Sequence, residues 1–247
     1  MDKDVGSTET LISAYTTSDG GFILLGSKGD SVLLIKLDSL GNPEWGKVYH
    51  GNTLYPPSVI QTTDGGYVIL GKKGSTIQSI FMIKTDSAGN ISWAKEIGFS
   101  VSITSLDLAS IIQTLDGNYT LAGSSSTSGV IMVKLNTSGD TIWSQFLDVA
   151  FYHEFPTALL QTTDGNYVVT GYLDTTGGNP RPFLLKTDTG GNHIWWKIYT
   201  DGPNRKIFSL DTFSNGFVMA GVSGRSGLIV RVDNNGIPRW AKTYSSS

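Results

Sequence analysis

Apolar residues in this chain fall in short runs, and none repeats at helical spacing. Tyr67-Val68-Ile69-Leu70 and Phe81-Met82-Ile83 are representative. Such runs are β-branched or aromatic, and clusters of Gly, Asp and Asn bound them. This is the chemistry of strands punctuated by hairpin turns. One stretch reads strand by strand. Residues 58–62 form a first strand, closed by a turn at Asp64-Gly65-Gly66. Residues 67–71 form a second, followed by a loop. Residues 80–85 form a third, closed by a turn from Asp86 to Asn90. Residues 91–97 form a fourth.

The same pattern returns along the chain. Gln61–Gly71 recurs as Gln113–Gly123 and Gln161–Gly171, and in weaker form as Thr16–Gly26 and Asp211–Gly221. A second block, clearest at Ile83–Lys95, follows each copy and carries Trp45, Trp93, Trp143, Trp195 and Trp240 in turn. These tryptophans lie 45 to 52 residues apart. Repetition at that period, with four short strands per unit, predicts propeller blades. The expected fold is therefore all-β: one five-bladed β-propeller domain with four antiparallel strands per blade. The blades are expected near 10–49, 56–98, 108–147, 156–200 and 206–245. Radial stacking buries both faces of a blade and protects most sheet edges.

The motif Asp-x-x-Gly-Asn-x-x-Trp after an apolar strand, as at Asp86–Trp93, resembles the tryptophan motif of quinoprotein-like propellers. With Gln61-Thr62-Thr63-Asp64-Gly65-Gly66-Tyr67 before it, the full pattern is similar to propeller repeats of secreted bacterial and archaeal surface proteins. The resemblance covers the whole chain and implies a propeller fold and an exported or cell-surface location. Quinone-dependent members usually have eight blades, and many have a vicinal cysteine pair. This chain has five repeats and no cysteine, so no cofactor is expected.

Composition narrows the function classes. Charged residues make up 16% of the chain, against about 25% in ordinary soluble domains. Net charge is −3 with no block of one sign, so neither a nucleic-acid stripe nor a polybasic membrane patch is present. No apolar run is long enough for a membrane helix. The first residues lack a signal core, so an exported form would need one that is not in this sequence. A monomer that binds a carbohydrate or protein ligand is expected.

Comparison among the five repeats predicts which face binds. The one–two and three–four turns keep constant length, whereas the two–three loops and the links between blades vary. Because strands alternate in direction, all variable segments share one face, and function usually sits on variable loops carried by a rigid scaffold. The candidate ligand-binding residues there are His50, Tyr55, Phe99, Tyr152, His153, Glu154, Asp174, Arg181, Asn204 and Arg205. Aromatic rings beside amides, carboxylates and arginine are what a sugar or peptide site uses. If each first strand lines the axis, Thr16, Gln61, Gln113, Gln161 and Asp211 form a polar ring along the channel.

The remaining chemistry is sparse. His153-Glu154 lacks a third ligand at a recognisable spacing, so no metal site is expected. The Asp-x-x-Gly-Asn turns read as tight turns rather than calcium loops. The alternative to a binding module is a glycoside hydrolase with Asp107, Glu154 and Asp211 as its acids; no catalytic residue is assigned on that basis. A purely structural or recombined repeat is the third reading. Trp196 breaks the repeat where the other units carry Gly46, Ala94, Ser144 and Ala241; small residues there suggest tight interblade packing, so Trp196 either faces a widened gap or protrudes as an exposed aromatic.

Overall fold

A computed structural model describes residues 9–51, 54–74, 78–98, 106–125, 129–148, 153–174, 178–202 and 204–245, with backbone alone for 54–57. The first blade is β1 (Glu9–Thr16), β2 (Phe22–Lys28), β3 (Ser31–Leu37) and β4 (Pro43–Tyr49). The second is β5 (Leu54–Gln61), β6 (Tyr67–Lys73), β7 (Ser79–Thr85) and β8 (Ile91–Ile97). The third is β9 (Leu106–Gln113), β10 (Tyr119–Ser125), β11 (Gly129–Leu135) and β12 (Thr141–Leu147). The fourth is β13 (His153–Gln161), β14 (Tyr167–Asp174), β15 (Arg181–Thr187) and β16 (His193–Ile198). The fifth is β17 (Arg205–Phe213), β18 (Gly216–Ser223), β19 (Ser226–Asp233) and β20 (Pro238–Tyr244). Each blade is one four-stranded antiparallel sheet in chain order, and among the described residues no strand crosses to another blade. No helix occurs among the described residues. The protein is an all-β, five-bladed β-propeller.

The first strands are innermost: β5 packs on β1, β9 on β5, β13 on β9 and β17 on β13. In the three middle blades strands two and three are largely apolar because a neighbouring blade covers each face; in the first and fifth blades only one face is covered in this way. One core layer joins Ile23, Leu25, Val32 and Leu34 of the first blade to Tyr67, Ile69, Phe81 and Ile83 of the second. Equivalent layers join the second blade to the third, the third to the fourth and the fourth to the fifth.

The glycine that ends the second strand's motif has a packing reason. Every first strand has a register shift opposite it, which drives a carbonyl inward. A Cβ on Gly171 would stand 2.0 Å from the Phe155 carbonyl oxygen, and one on Gly26 would stand 2.3 Å from that of Thr10. No side chain fits there.

The tryptophan acts between blades. The Trp93 ring lies against Gly139 of the next blade, its Nε1 donates to the Thr137 carbonyl at 3.1 Å, and it packs on Tyr119 with centroids 6.3 Å apart. Trp45 meets Gly89, Trp143 meets Gly191 and Trp195 meets Gly236 in the same way. Each glycine has positive φ, between 76° and 80° for Gly89, Gly191 and Gly139, and lies buried under the indole. At roughly 25 cal/mol per Å² and an indole of some 150–250 Å², half-burial contributes about 2–3 kcal/mol per joint.

The glutamines expected along the channel have a second task. Gln61 Oε1 accepts from the Ser18 amide at 2.7 Å, Gln113 Oε1 from Thr63 at 2.8 Å and Gln161 Oε1 from Leu115 at 2.7 Å. Their Nε2 groups donate to the carbonyls of Gly65, Gly117 and Gly165 in their own turns. Each glutamine thus ties its own turn to the turn of the preceding blade. Gln113→Leu leaves one donor and one acceptor without these partners and is expected to cost about 1–2 kcal/mol, read from the urea midpoint.

Candidate functional site

The structure distributes the expected variable-face residues over two places. His50 stands at the end of β4, between the first two blades. His153, Glu154, Asp174, Arg181, Asn204 and Arg205 gather where the fourth and fifth blades meet. Phe99 and Tyr152 lie outside the described residues, and of Tyr55 only the backbone, in β5, is described.

A cleft of about 340 Å³ opens between the first two blades. Tyr49, Phe81, Met82, Ile83 and Ile91 give it an apolar floor, and His50, Lys73, Lys95 and Glu96 line it with polar groups. The floor is rigid. The Tyr49 hydroxyl donates to the Gly89 carbonyl at 2.8 Å, and burial pushes its pKa well above the usual phenol value. At the lip, Lys73 Nζ sits 2.7 Å from Glu96 Oε2, and Ser79 Oγ donates to Glu96 Oε1 at 2.6 Å. The Lys73 hydrogen bond, then that of Ser79, holds the Glu96 carboxyl below the usual carboxylate range. Ser31 Oγ lies 3.3 Å from His50 Nδ1. Lys73 lies in the variable segment after the second-strand glycine and Glu96 near the end of β8, and neither carries a motif of its own.

Trp196 is an exposed aromatic, one of its two expected settings, but the tight packing expected around its small counterparts is not found. Gly46, Ala94, Ser144 and Ala241 are all exposed, so the small residues there do not serve tight packing. The position lies at the outer edge, opposite the third strand's Leu185 or Ile83, on the side facing the preceding blade. In the second blade Ala94 borders the open cleft. In the fourth, the Trp196 indole stands at that position, 40% exposed.

Between the fourth and fifth blades the rings form a ladder. His153 meets Phe155 edge-on at 4.7 Å, Phe155 stacks on Tyr172 at 5.1 Å, and Lys206 Nζ lies 4.5 Å from the Tyr172 centroid. Asp174 is the cross-strand partner of His153. The Arg205 amide donates to the Pro180 carbonyl at 3.0 Å, and its Nε to Ser223 Oγ at 3.4 Å. Asn204 takes positive φ of 51°, and its carbonyl accepts from Gly224. The rings spend their contacts on one another and on Lys206, so this cluster fastens two blades. Tyr172 and Lys206 complete it, and they stand where the second and third blades carry Lys72 and Asp107.

The acids of the hydrolase alternative do not converge. Asp107 and Glu154 lie at the starts of neighbouring inner strands, with Asp107 3.6 Å from Lys72 Nζ and Glu154 buried. Asp211 lies six residues into β17, at the opposite end, about 20 Å away along the strand. Thr16 of the expected channel ring is exposed; in the fifth blade a shorter turn puts Thr212, not Asp211, at the glutamine position opposite Phe217, and Asp211, also exposed, accepts from the Thr212 amide at 2.7 Å. Among the described residues no group of three His, Asp or Glu side chains gathers as a metal site would. In the three–four turns the aspartates bind their own loop: Asp86 Oδ1 accepts from the amides of Ala88 at 2.9 Å and Asn90 at 2.8 Å.

The third-strand cation pairs with the one–two turn of its own blade. Lys36, Lys84 and Lys134 are buried and pair with Asp19, Asp64 and Asp116 of the one–two turn at 2.8, 2.8 and 2.6 Å. Lys186 reaches Asp164 at 3.5 Å. In the fifth blade Ser214 replaces the aspartate, and Arg231 instead stacks on Phe213 at 4.4 Å.

No family model and no curated protein matches this chain. Solved structures do. A Lactobacillus plantarum protein aligns over 99% of this chain and 73% of its own, with 12% identity and a TM-score of 0.67. A Bacteroides caccae protein of unknown function aligns over 96% and 83%, with 13% identity and a TM-score of 0.65. A candidate exo-β-1,3-galactanase from Bifidobacterium bifidum aligns over 99% and 95%, with 14% identity and a TM-score of 0.55. What this chain shares with all three is the fold, four-stranded blades set around an axis.

Proposed function

We propose that the protein is a binding module of the surface-repeat type, and that the cleft between its first two blades takes a carbohydrate. The observation that carries this reading is the cleft itself: about 340 Å³, with an apolar floor and hydrogen-bonding groups at its lip. That volume lies at the small end of ligand pockets, where a saccharide unit or two fits. The apolar face of a sugar would lie on the floor near Phe81 and Ile91, and its hydroxyls would meet His50, Lys73 and Glu96. The lip groups already hold one another in place, so little ordering remains to be done on binding.

The test is a glycan array probed with the wild-type chain, His50→Ala and Glu96→Gln. Both substitutions lie at the rim, and neither removes a floor residue. Retention of an oligosaccharide by the wild type, weakened about tenfold or more in each variant, is the expected result. Equal retention by all three proteins would move the site elsewhere on the face. Capture of peptides in place of glycans would replace the carbohydrate reading with a protein-binding one.

A further inference from the structure

Four of the five tryptophan joints are made, and the residues for the fifth stand apart. Trp240 of the last blade is exposed, where the other four indoles are half-buried. Its counterpart in the first blade, Gly41, has positive φ like the other joint glycines, yet a Cβ there would meet nothing within 4 Å. Gly89, Gly139, Gly191 and Gly236 are buried; Gly41 is exposed.

The same holds for every other element of the joint. The Tyr49 and Tyr199 hydroxyls donate to the carbonyls of Gly89 and Gly236 at 2.8 and 2.9 Å. Tyr244 occupies that position in the fifth blade and is 57% exposed. Lys47 Nζ donates to Asn90 at 3.2 Å across a joint, and Lys95 pairs with Asp140. Lys242 is the matching cation, turned back over its own Trp240 ring, and Asn42 is the matching acceptor. Val218 is partly exposed and Ala220 exposed, where their counterparts Val68 and Leu70 are fully buried. On the other side, Phe22 and Leu24 are half-buried, where Tyr67 and Ile69 are 1% and 0% exposed.

We propose that the free face of the fifth blade and the free face of the first are two halves of one joint, and that a second copy of this chain supplies the missing half. Continuity with the four joints already formed carries this. Each end lacks what the other end displays: indole for glycine, hydroxyl for carbonyl, ammonium for amide oxygen, and apolar face for apolar face. Such an interface is heterologous, so each copy offers one face to a partner and the other to the next until the assembly closes. This departs from the monomer expected from sequence.

The chain has no cysteine, which makes cross-linking clean. Lys242→Cys and Asn42→Cys are made separately and together, and treated with a short bismaleimide. A mixture of the two single variants is expected to yield a covalent dimer that neither variant yields alone. Sedimentation of the uncross-linked wild type is expected to give a mass above one chain. Trp240→Glu should raise the dissociation constant about 100-fold, as loss of an interface tryptophan does. Tyr244→Phe should raise it about fivefold by removing one hydrogen bond. Far-ultraviolet circular dichroism of both variants reads the fold independently. A cross-link formed only within the double variant, with none in the mixture, would show a ring closed on itself and overturn the proposal. Absence of any cross-link, with a single-chain mass, would overturn it as well.

Discussion

Trp93→Ala is expected to destabilise the protein by about 3 kcal/mol, while Trp240→Ala, measured at a concentration low enough for single chains, stays within about 0.5 kcal/mol. The two residues occupy one repeat position and differ in what lies beyond them. Trp93 covers Gly139, donates to the Thr137 carbonyl at 3.1 Å and packs on Tyr119. Removing it opens a void between two blades and leaves the Thr137 carbonyl without that donor. Trp240 covers no glycine, and its ring lies 5.6 Å from Lys242 Nζ. For a chain of this size the Trp93 loss corresponds to a drop of about 8 °C in melting temperature. Equal losses at both positions would show that the indole works within its own blade and that the interblade joint contributes little.

The second large effect lies in the turns. Asp64→Ala is expected to cost about 2 kcal/mol, and Lys84→Met distinctly less. Lys84 has 7% of its side chain exposed, and its Nζ lies 2.8 Å from Asp64 Oδ2 and donates to the Thr85 carbonyl at 2.8 Å. Removing the carboxylate strands a buried ammonium, while methionine replaces the stem with similar apolar volume and strands no charge. Asp64 is 63% exposed, so water softens the penalty, and the value sits below the usual range for fully buried pairs. The double variant should cost less than the sum of the singles. If Lys84→Met proves the worse of the two, the ammonium's bond to the Thr85 carbonyl outweighs the ion pair.

The same contacts set the acid limit. Burial pushes the Asp64 carboxyl up, but hydrogen bonds from Lys84, Thr62 and the Gly66 amide outweigh it and hold the group at about 2, against an ordinary 3.8. Asp116 is lowered too, with the Lys134 contact offsetting burial. The unfolded chain therefore binds more protons than the folded one between about pH 4 and pH 2. The contribution is complete above the unfolded value and is lost as pH falls through the folded one. The urea midpoint should fall across that window, and less steeply in Asp64→Ala.

Much of this is written in the chain itself. Short apolar runs, glycine-marked turns and five evenly spaced tryptophans determine the strands, their number per blade and the number of blades, because local patterning and repetition suffice for each. The side on which length varies follows from strand alternation alone. What needed the tertiary structure is every relation between blades. Gln61, Gln113 and Gln161 read as channel residues by position, yet their amides tie each turn to its neighbour, a contact 43 to 50 residues away. Lys84 and Asp86 are two apart in sequence, but the pleat and the hairpin carry the Lys84 ammonium to Asp64. The cleft beside Ala94 is invisible in sequence because its walls belong to two repeats, each regular on its own. Trp240 obeys the repeat as faithfully as Trp93 does. That it faces solvent is decided by the path of the whole arc, which no single repeat contains.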